Sequence, residues 1–310
     1  MLPGLARRHY VAYGLICLIW GSTWGAIRLL VRDVPALRAA ALRCFLAALL
    51  LIAGALTSGK RMALSSRQWR ALIILGITMM ALQYGLLFWA EYRISSSMTA
   101  VLFSSYPLFV ALFTPLLTRT RVPRRAVFAM LIGLGGISAL LSTGLSASAD
   151  FLLGGGAVML AVVVSAWSAV FAKRELSGVN PLWGTAVQFC VSAAALFVAS
   201  LIFERGRSSD WNQTSILALG FLTIFGSVVA FSLYYWLLGT IQAYQLSTTN
   251  LVVPVIAMAE GALLLRERVP LLMAASALLV LVSVAIVLRA DDEQVTSLKL
   301  ESPEIELKKE

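Results

Sequence analysis

The sequence predicts an all-α integral membrane protein, with ten transmembrane helices arranged as two inverted five-helix repeats. Three observations lead there. The 310 residues are 60% hydrophobic and 13% charged, with a mean hydropathy of +0.87, whereas about a quarter of the residues in a soluble domain are charged. Ten apolar runs, each near the roughly 20 residues that cross a bilayer, follow one another with short connections. The chain also matches itself at a displacement of 147 residues.

The first run, 10–31, follows Arg7 and Arg8 and is too long for a signal-peptide core, so it reads as a retained spanning helix. It carries Trp20, Trp24 and Arg28 at i, i+4 and i+8, which stacks two indoles and a guanidinium on one stripe beside Gly21 and Gly25. The second run, 35–56, opens at Pro35, where a missing N–H is tolerated, and holds Arg43 near its middle. Runs 69–90 and 96–118 carry Gln83 and Tyr84, then Pro107, and run 125–143 follows Pro123. In the second half, 152–172 holds Trp167 beside Ser165, Ser168 and Phe171, and 181–203 opens at Pro181. Run 214–238 contains Phe231, Tyr234 and Tyr235; run 244–265 contains Ser247, Thr248, Thr249, Asn250, Pro254 and Glu260; run 270–289 opens at Pro270. Beyond Arg289 the chain turns polar and acidic. The expected organisation is a first repeat over 1–143, a second over 144–289 and a cytoplasmic tail over 290–310.

Displaced by 147 residues, Tyr84–Pro123 lies on Phe231–Pro270 without a gap, with ten identities in forty positions. Trp89 meets Trp236, Pro107 meets Pro254, and Arg119-Thr120-Arg121-Val122-Pro123 falls on Arg266-Glu267-Arg268-Val269-Pro270. Five helices per copy is an odd number, so the second copy enters the membrane from the opposite side. Charge sets the orientation. Arg7, Arg8, Lys60, Arg61, Arg67, Arg70, Arg119, Arg121, Arg124 and Arg125 fall on one side, against Arg32, Arg38 and Arg93 on the other, so the N-terminus is cytoplasmic. Ten spans return the C-terminus to the same side.

Residues 10–289 resemble the drug/metabolite transporter superfamily, and within it the two-repeat EamA-type exporters. The likeness is carried by Trp20-Gly21-Ser22-Thr23-Trp24, by Pro35 with Arg43-Cys44-Phe45-Leu46-Ala47, and by Leu264-Leu265-Arg266-Glu267-Arg268 closing the ninth run. Family members commonly end that run on Glu in both repeats; the first repeat here has Thr120 at the matching place. The resemblance implies a secondary-active transporter that moves amino acids or other small metabolites by alternating access, expected to export them across the inner membrane; Tyr84, Phe231, Gln83, Tyr234 and Tyr235 suggest a cavity suited to amphipathic or aromatic molecules or to organic cations.

The candidate site follows from residues that are costly in lipid. A charge at the centre of a spanning helix costs about 2.5–3.5 kcal/mol on insertion scales, so Arg43 needs an interhelix partner or an anionic substrate group. Arg28, a turn from its helix end, has the option of reaching the interface. Glu260 is the candidate site for a coupling proton. Trp20 and Trp167 lie too deep for a headgroup belt, and with Trp24, Tyr84, Phe231 and Asn250 they are expected to line a central substrate cavity together with Arg43. Pro107 and Pro254 each remove a backbone donor, from the carbonyls of Phe103 and Asn250, and are the expected hinges.

Other classes fare poorly. The only histidine is His9 at the terminus, no HExxH or GxxxxGK[ST] motif occurs, and the net charge of +10 sits in clusters flanking the spans rather than in a nucleic-acid surface. Cys17, Cys44 and Cys190 lie inside apolar runs without metal spacing. No enzyme activity, metal or cofactor is expected. The partners are the lipid bilayer, a small-molecule substrate and protons as a coupling ion; the oligomeric state is left open. Two alternatives stand beside a metabolite carrier: a passive channel or non-transporting membrane subunit, and a multidrug or organic-cation exporter of the same fold.

Overall fold

The computed structural model describes residues 7–59, 64–94, 96–118, 120–141, 149–264 and 271–289, with side chains at all of these except 96–97, 101, 136–141, 257–264, 271–274, 276–277 and 289. In chain order the helices are α1 (Arg7–Asp33), α2 (Ala36–Thr57), α3 (Ser66–Glu91), α4 (Ser96–Phe103), α5 (Tyr106–Thr118) and α6 (Arg124–Leu141). The sequence of shapes then recurs in α7 (Ala149–Glu175), α8 (Pro181–Phe203), α9 (Gln213–Leu238), α10 (Ala243–Ser247), α11 (Thr249–Leu264) and α12 (Leu271–Arg289). Six of these, α1, α2, α3, α7, α8 and α9, are long and apolar enough to cross a membrane. The fold is therefore all-α and multi-pass. The solvent is visible on its outer face, where Leu116, Leu201 and Phe203 are 70%, 71% and 73% exposed. In water each such side chain would forgo about 2 kcal/mol of burial; against lipid tails the cost vanishes.

Two apolar runs that read as continuous are broken. Run 96–118 is interrupted by turns at Ser104 and Ser105, and run 244–265 by a turn at Thr248. The serine hydroxyls share acceptors with their own backbone N–H groups: Ser104 Oγ donates to the Ala100 carbonyl (2.8 Å) and Ser105 Oγ to that of Leu102 (2.7 Å).

The 147-residue displacement recurs in the backbone well beyond the stretch that shows it in sequence. Gly59 and Gly206, that far apart, both adopt a positive φ, at 64° and 76°, to close the helix before them. Ser65 with Gln68, and Asn212 with Ser215, form reciprocal capping boxes that open α3 and α9. Both of those helices then pass through a π-helical segment, Gly76–Leu82 in α3 and Ile224–Val229 in α9.

Packing follows the same exchange. α2 lies along α8 and α6 along α12; α1 packs against α9 and α11, and α7 against α3 and α5. The α2–α8 contact is made close by small side chains, with Ala39, Ala40, Cys44 and Ala47 fully buried and Ser192 Oγ donating to Cys44 Sγ at 3.3 Å. Gly21 brings α1 against α11: a Cβ there would stand 2.7 Å from Ile256 Cγ2, whereas one at Gly25 would meet nothing within 4 Å. All three cysteines are free.

Candidate functional site

A narrow cavity lies between α1, α2, α3, α5, α7, α9 and α11. Its volume is only about 70 Å3. α1 contributes Trp20, Thr23, Trp24 and Ile27, the i, i+3, i+4, i+7 stripe that one helix face presents. Across from it stand Tyr84 on α3 and Phe231 and Tyr234 on α9, with Phe103 and Tyr106 beside the break before α5. Ring contacts join them: Trp20 to Phe231 (5.5 Å between centroids) and Tyr234 (5.6 Å), Trp24 to Phe103 (5.7 Å), and Tyr84 edge-on to Phe231 (6.4 Å). Arg43, Gln83, Ser165 and Asn250, with the hydroxyl-bearing Thr23 and the three tyrosines, make up the polar part of the lining.

Arg43 is 2% exposed and held entirely by neutral groups. Nε donates to Ser227 Oγ (2.8 Å), and Nη2 to Tyr84 Oη (3.0 Å) and to the Gly226 carbonyl (3.0 Å), while the guanidinium carbon stands 4.3 Å from the centre of the Tyr84 ring. The π segment of α9 makes this possible. Its wider turn shifts backbone hydrogen bonds from i−4 to i−5, and Ser227 Oγ itself donates to the Leu222 carbonyl five residues back (3.0 Å). Glycine leaves room for the close approach: a Cβ on residue 226 would crowd Arg43 Nη2 at 3.2 Å and Thr23 Cγ2 at 3.0 Å.

Six of the seven residues expected from sequence to form the site, Trp20, Trp24, Arg43, Tyr84, Phe231 and Asn250, line this one cavity. Trp167 is elsewhere. It stacks on Phe171 (4.8 Å) while Ser165 takes the cavity face of α7; two helical residues are about 200° apart, so both cannot face the same way. Pro107 occupies the first turn of α5, just after the Ser104–Ser105 break, and Pro254 lies inside α11, six residues after the Thr248 break. Ser104 Oγ, bonded to the Ala100 carbonyl at 2.8 Å, shares its one proton with the Asn250 carbonyl released by Pro254 (3.3 Å), so the two interrupted segments meet through the longer arm of a bifurcated hydrogen bond. Glu260 belongs to α11, but its side chain lies outside the described residues, as does the whole Arg266–Arg268 segment. Arg28 is tied to the end of α3, where Nη1 donates to the Glu91 and Ile94 carbonyls.

Sequence reasoning missed Thr23, Ile27, Met79, Leu87, Phe103 and Tyr106 in the lining, and the contacts at both ends of the helices around it. At one end Glu204, 4% exposed, accepts from the Leu37 N–H (2.8 Å), the Arg38 N–H (2.9 Å) and Ser200 Oγ (2.8 Å), capping α2 where Pro35 offers no side-chain cap. Asp33 joins the same end through Asn212 Nδ2 (2.8 Å). At the other end Arg67 pairs with Glu175 (Nη2 to Oε1, 2.8 Å) and Lys173 donates to the Ile241 carbonyl (2.8 Å). Between this end and the cavity stands a partition: Tyr235 Oη donates to Gln188 Oε1 (2.6 Å) and contacts Met79 Sδ (3.3 Å). Beyond the partition, a depression of about 400 Å3 is lined by Lys173, Asn180, Gln188, Tyr235, Trp236 and Thr240. Among the described residues no three His, Cys, Asp or Glu side chains converge as a metal site.

The sequence profile of the EamA-like transporter family matches the chain twice, over residues 10–142 and 152–289. Among curated proteins, the chain is 26% identical over 266 residues to the uncharacterized transporter YoaV of Bacillus subtilis, covering 86% of this chain and 91% of that one. It is 28% identical over 248 residues to the uncharacterized inner membrane transporter YedA of Escherichia coli, covering 79% and 78% respectively. One solved crystal structure superposes with a TM-score of 0.75 over 90% of this chain and 97% of its own, at 19% identity, a likeness of fold. With a transporter profile spanning both halves of an apolar multi-pass chain, the protein belongs to the EamA-like transporter family of the drug/metabolite transporter superfamily and is a multi-pass membrane transporter, not an enzyme.

Proposed function

We propose that this transporter is a secondary-active carrier that exports a small amphipathic or aromatic metabolite, an amino acid or a compound like one, by alternating access at the aromatic cavity. One observation carries this reading: a cavity built jointly from both halves of the chain is partitioned by Tyr235 and Gln188 from a wider depression at the Lys173 end. A water-reachable space of about 70 Å3, far below the ~300–1,000 Å3 of an open ligand pocket, suits a contracted state of a carrier and a small substrate. A conducting pore would need a continuous polar path.

The architecture supports it. Helix shapes, capping boxes and π segments recur at one displacement, and the contacts interchange between halves, α1 with α11 answering α7 with α5. We take these as two inverted repeats of five crossings, 1–143 and 144–289, in which α4 with α5, and α10 with α11, each form one interrupted crossing. The positive-inside count puts the Lys173 end, with both termini, at the cytoplasm and the Glu204 end outside. Pro107 and Pro254 are the hinges of the interrupted crossings, and Glu260 is the candidate coupling carboxylate.

Reconstitution in liposomes tests the proposal. A carrier gives saturable counterflow of a bound metabolite and no ion conductance; conductance without saturation contradicts it. With Glu260→Gln, exchange is expected to persist while proton-driven accumulation falls to the background of empty liposomes. Retained accumulation removes Glu260 from coupling.

A further inference from the structure

The central cavity carries one fixed charge. Among its described lining residues, Arg43 alone is ionised at neutral pH and no carboxylate is present. None of the ion pairs among the described residues involves Arg43. The residue as a whole is 2% exposed, and the partners of its guanidinium are a serine hydroxyl, a tyrosine hydroxyl and a backbone carbonyl. Those partners use Nε and Nη2; among the described residues Nη1 makes no hydrogen bond. A buried charge is normally paired, because neutral acceptors recover only part of its lost hydration. Here a cation is anchored from one side by the Ser227–Gly226 turn and the Tyr84 ring, and left open at a cavity.

We propose that the substrate supplies the missing counter-charge: it is a carboxylate, a simple organic acid or a zwitterion, whose carboxyl group docks on Nη1 of Arg43 while its apolar body lies among Trp20, Phe231 and Tyr234. This rests on the carrier reading above and narrows its substrate class. The alternative that the aromatic lining suggests is an organic cation held by cation–π contacts. Arg43 opposes it, since a second positive charge in the same small, poorly hydrated space is repelled by the first. For the remainder of a zwitterion the lining offers neutral acceptors: Asn250 donates Nδ2 to the Ser247 carbonyl (3.3 Å), which leaves its Oδ1 for an ammonium group, and Gln83 stands in the same lining.

The test uses quenching of intrinsic tryptophan fluorescence in the purified full-length protein, Trp20 and Trp24 being cavity residues. The probes are three skeletons (phenyl, indolyl and branched alkyl), each as carboxylic acid, amino acid, primary amide and primary amine. For every skeleton that binds, the acid or amino acid is expected to bind at least tenfold more tightly than the amide or amine. Arg43→Gln should bring the members of a series within about twofold of one another, and Arg43→Lys should keep part of the preference. If Arg43→Gln does not fold, Gly226→Ala, whose added methyl crowds Nη2, should reduce the same preference. Amines or amides binding as tightly as the acids, or a preference that survives Arg43→Gln in folded protein, overturn the charge assignment and leave the carrier reading standing. If no probe binds and none is exchanged in liposomes, the carrier reading fails and this proposal with it.

Discussion

Glu204 shows how much one side chain can do at a helix end. Its carboxylate takes two backbone N–H groups at the start of α2 and the Ser200 hydroxyl, in a region where α2 has no cap of its own. Charge-assisted bonds to a helix N-terminus are among the stronger ones, and removing the acceptor leaves buried donors unsatisfied. Glu204→Ala is therefore expected to cost about 2–3 kcal/mol, read as a clearly lower unfolding temperature in detergent, with substrate affinity of the remaining folded protein unchanged. Nothing in the sequence announces this role, because the residue reads as one more polar group in a loop and the backbone donors it caps lie more than 160 positions away. Arg43 was legible for the opposite reason. A guanidinium in mid-span is conspicuous, although its acceptors, Ser227 and Gly226, could not be named without the fold.

Among the elements, the crossings were legible and their interruptions were not. Length and apolarity suffice to mark a span, but Ser104–Ser105 and Thr248 are tolerated in membrane helices, so a break there leaves no mark in composition. The π segments are hidden for a related reason: one extra residue per turn rotates a helix face without changing its hydropathy. Trp167 illustrates the consequence for the site. Depth in the span was readable, whereas the side of α7 it occupies depended on which residue, Ser165 or Trp167, the packing turned inward. The two interrupted crossings meet at Ser104 Oγ and the Asn250 carbonyl, the acceptor that Pro254 deprives of its helical donor. Ser104→Ala is expected to destabilise the protein by about 1 kcal/mol and to change the rate of substrate exchange, because the lost bond ties the two expected hinges together. Unaltered exchange kinetics in liposomes would separate that bond from the moving parts.

At the scale of the whole molecule, one displacement of 147 residues organises sequence, caps, π segments and contacts alike. The match is readable in sequence only from Tyr84 onward, since before that point the two halves keep the same backbone devices with different residues, Ser65 and Gln68 against Asn212 and Ser215. Such a molecule has two ends that mirror each other in construction yet differ in state. The Glu204 end is tied by its capping carboxylate, and the Lys173 end opens to a depression that stops at the Tyr235–Gln188 contact. The cavity is expected to open to one end at a time. The direct measurement labels a single cysteine, Asn250→Cys in a chain whose native cysteines are replaced, with a membrane-impermeant reagent from each face in turn. The partition is then locked by a disulfide between Gln188→Cys and Tyr235→Cys. The account predicts labelling from both faces before the lock and, after it, loss of labelling from the cytoplasmic face with labelling from the outer face retained. Labelling from both faces in the locked protein would contradict it.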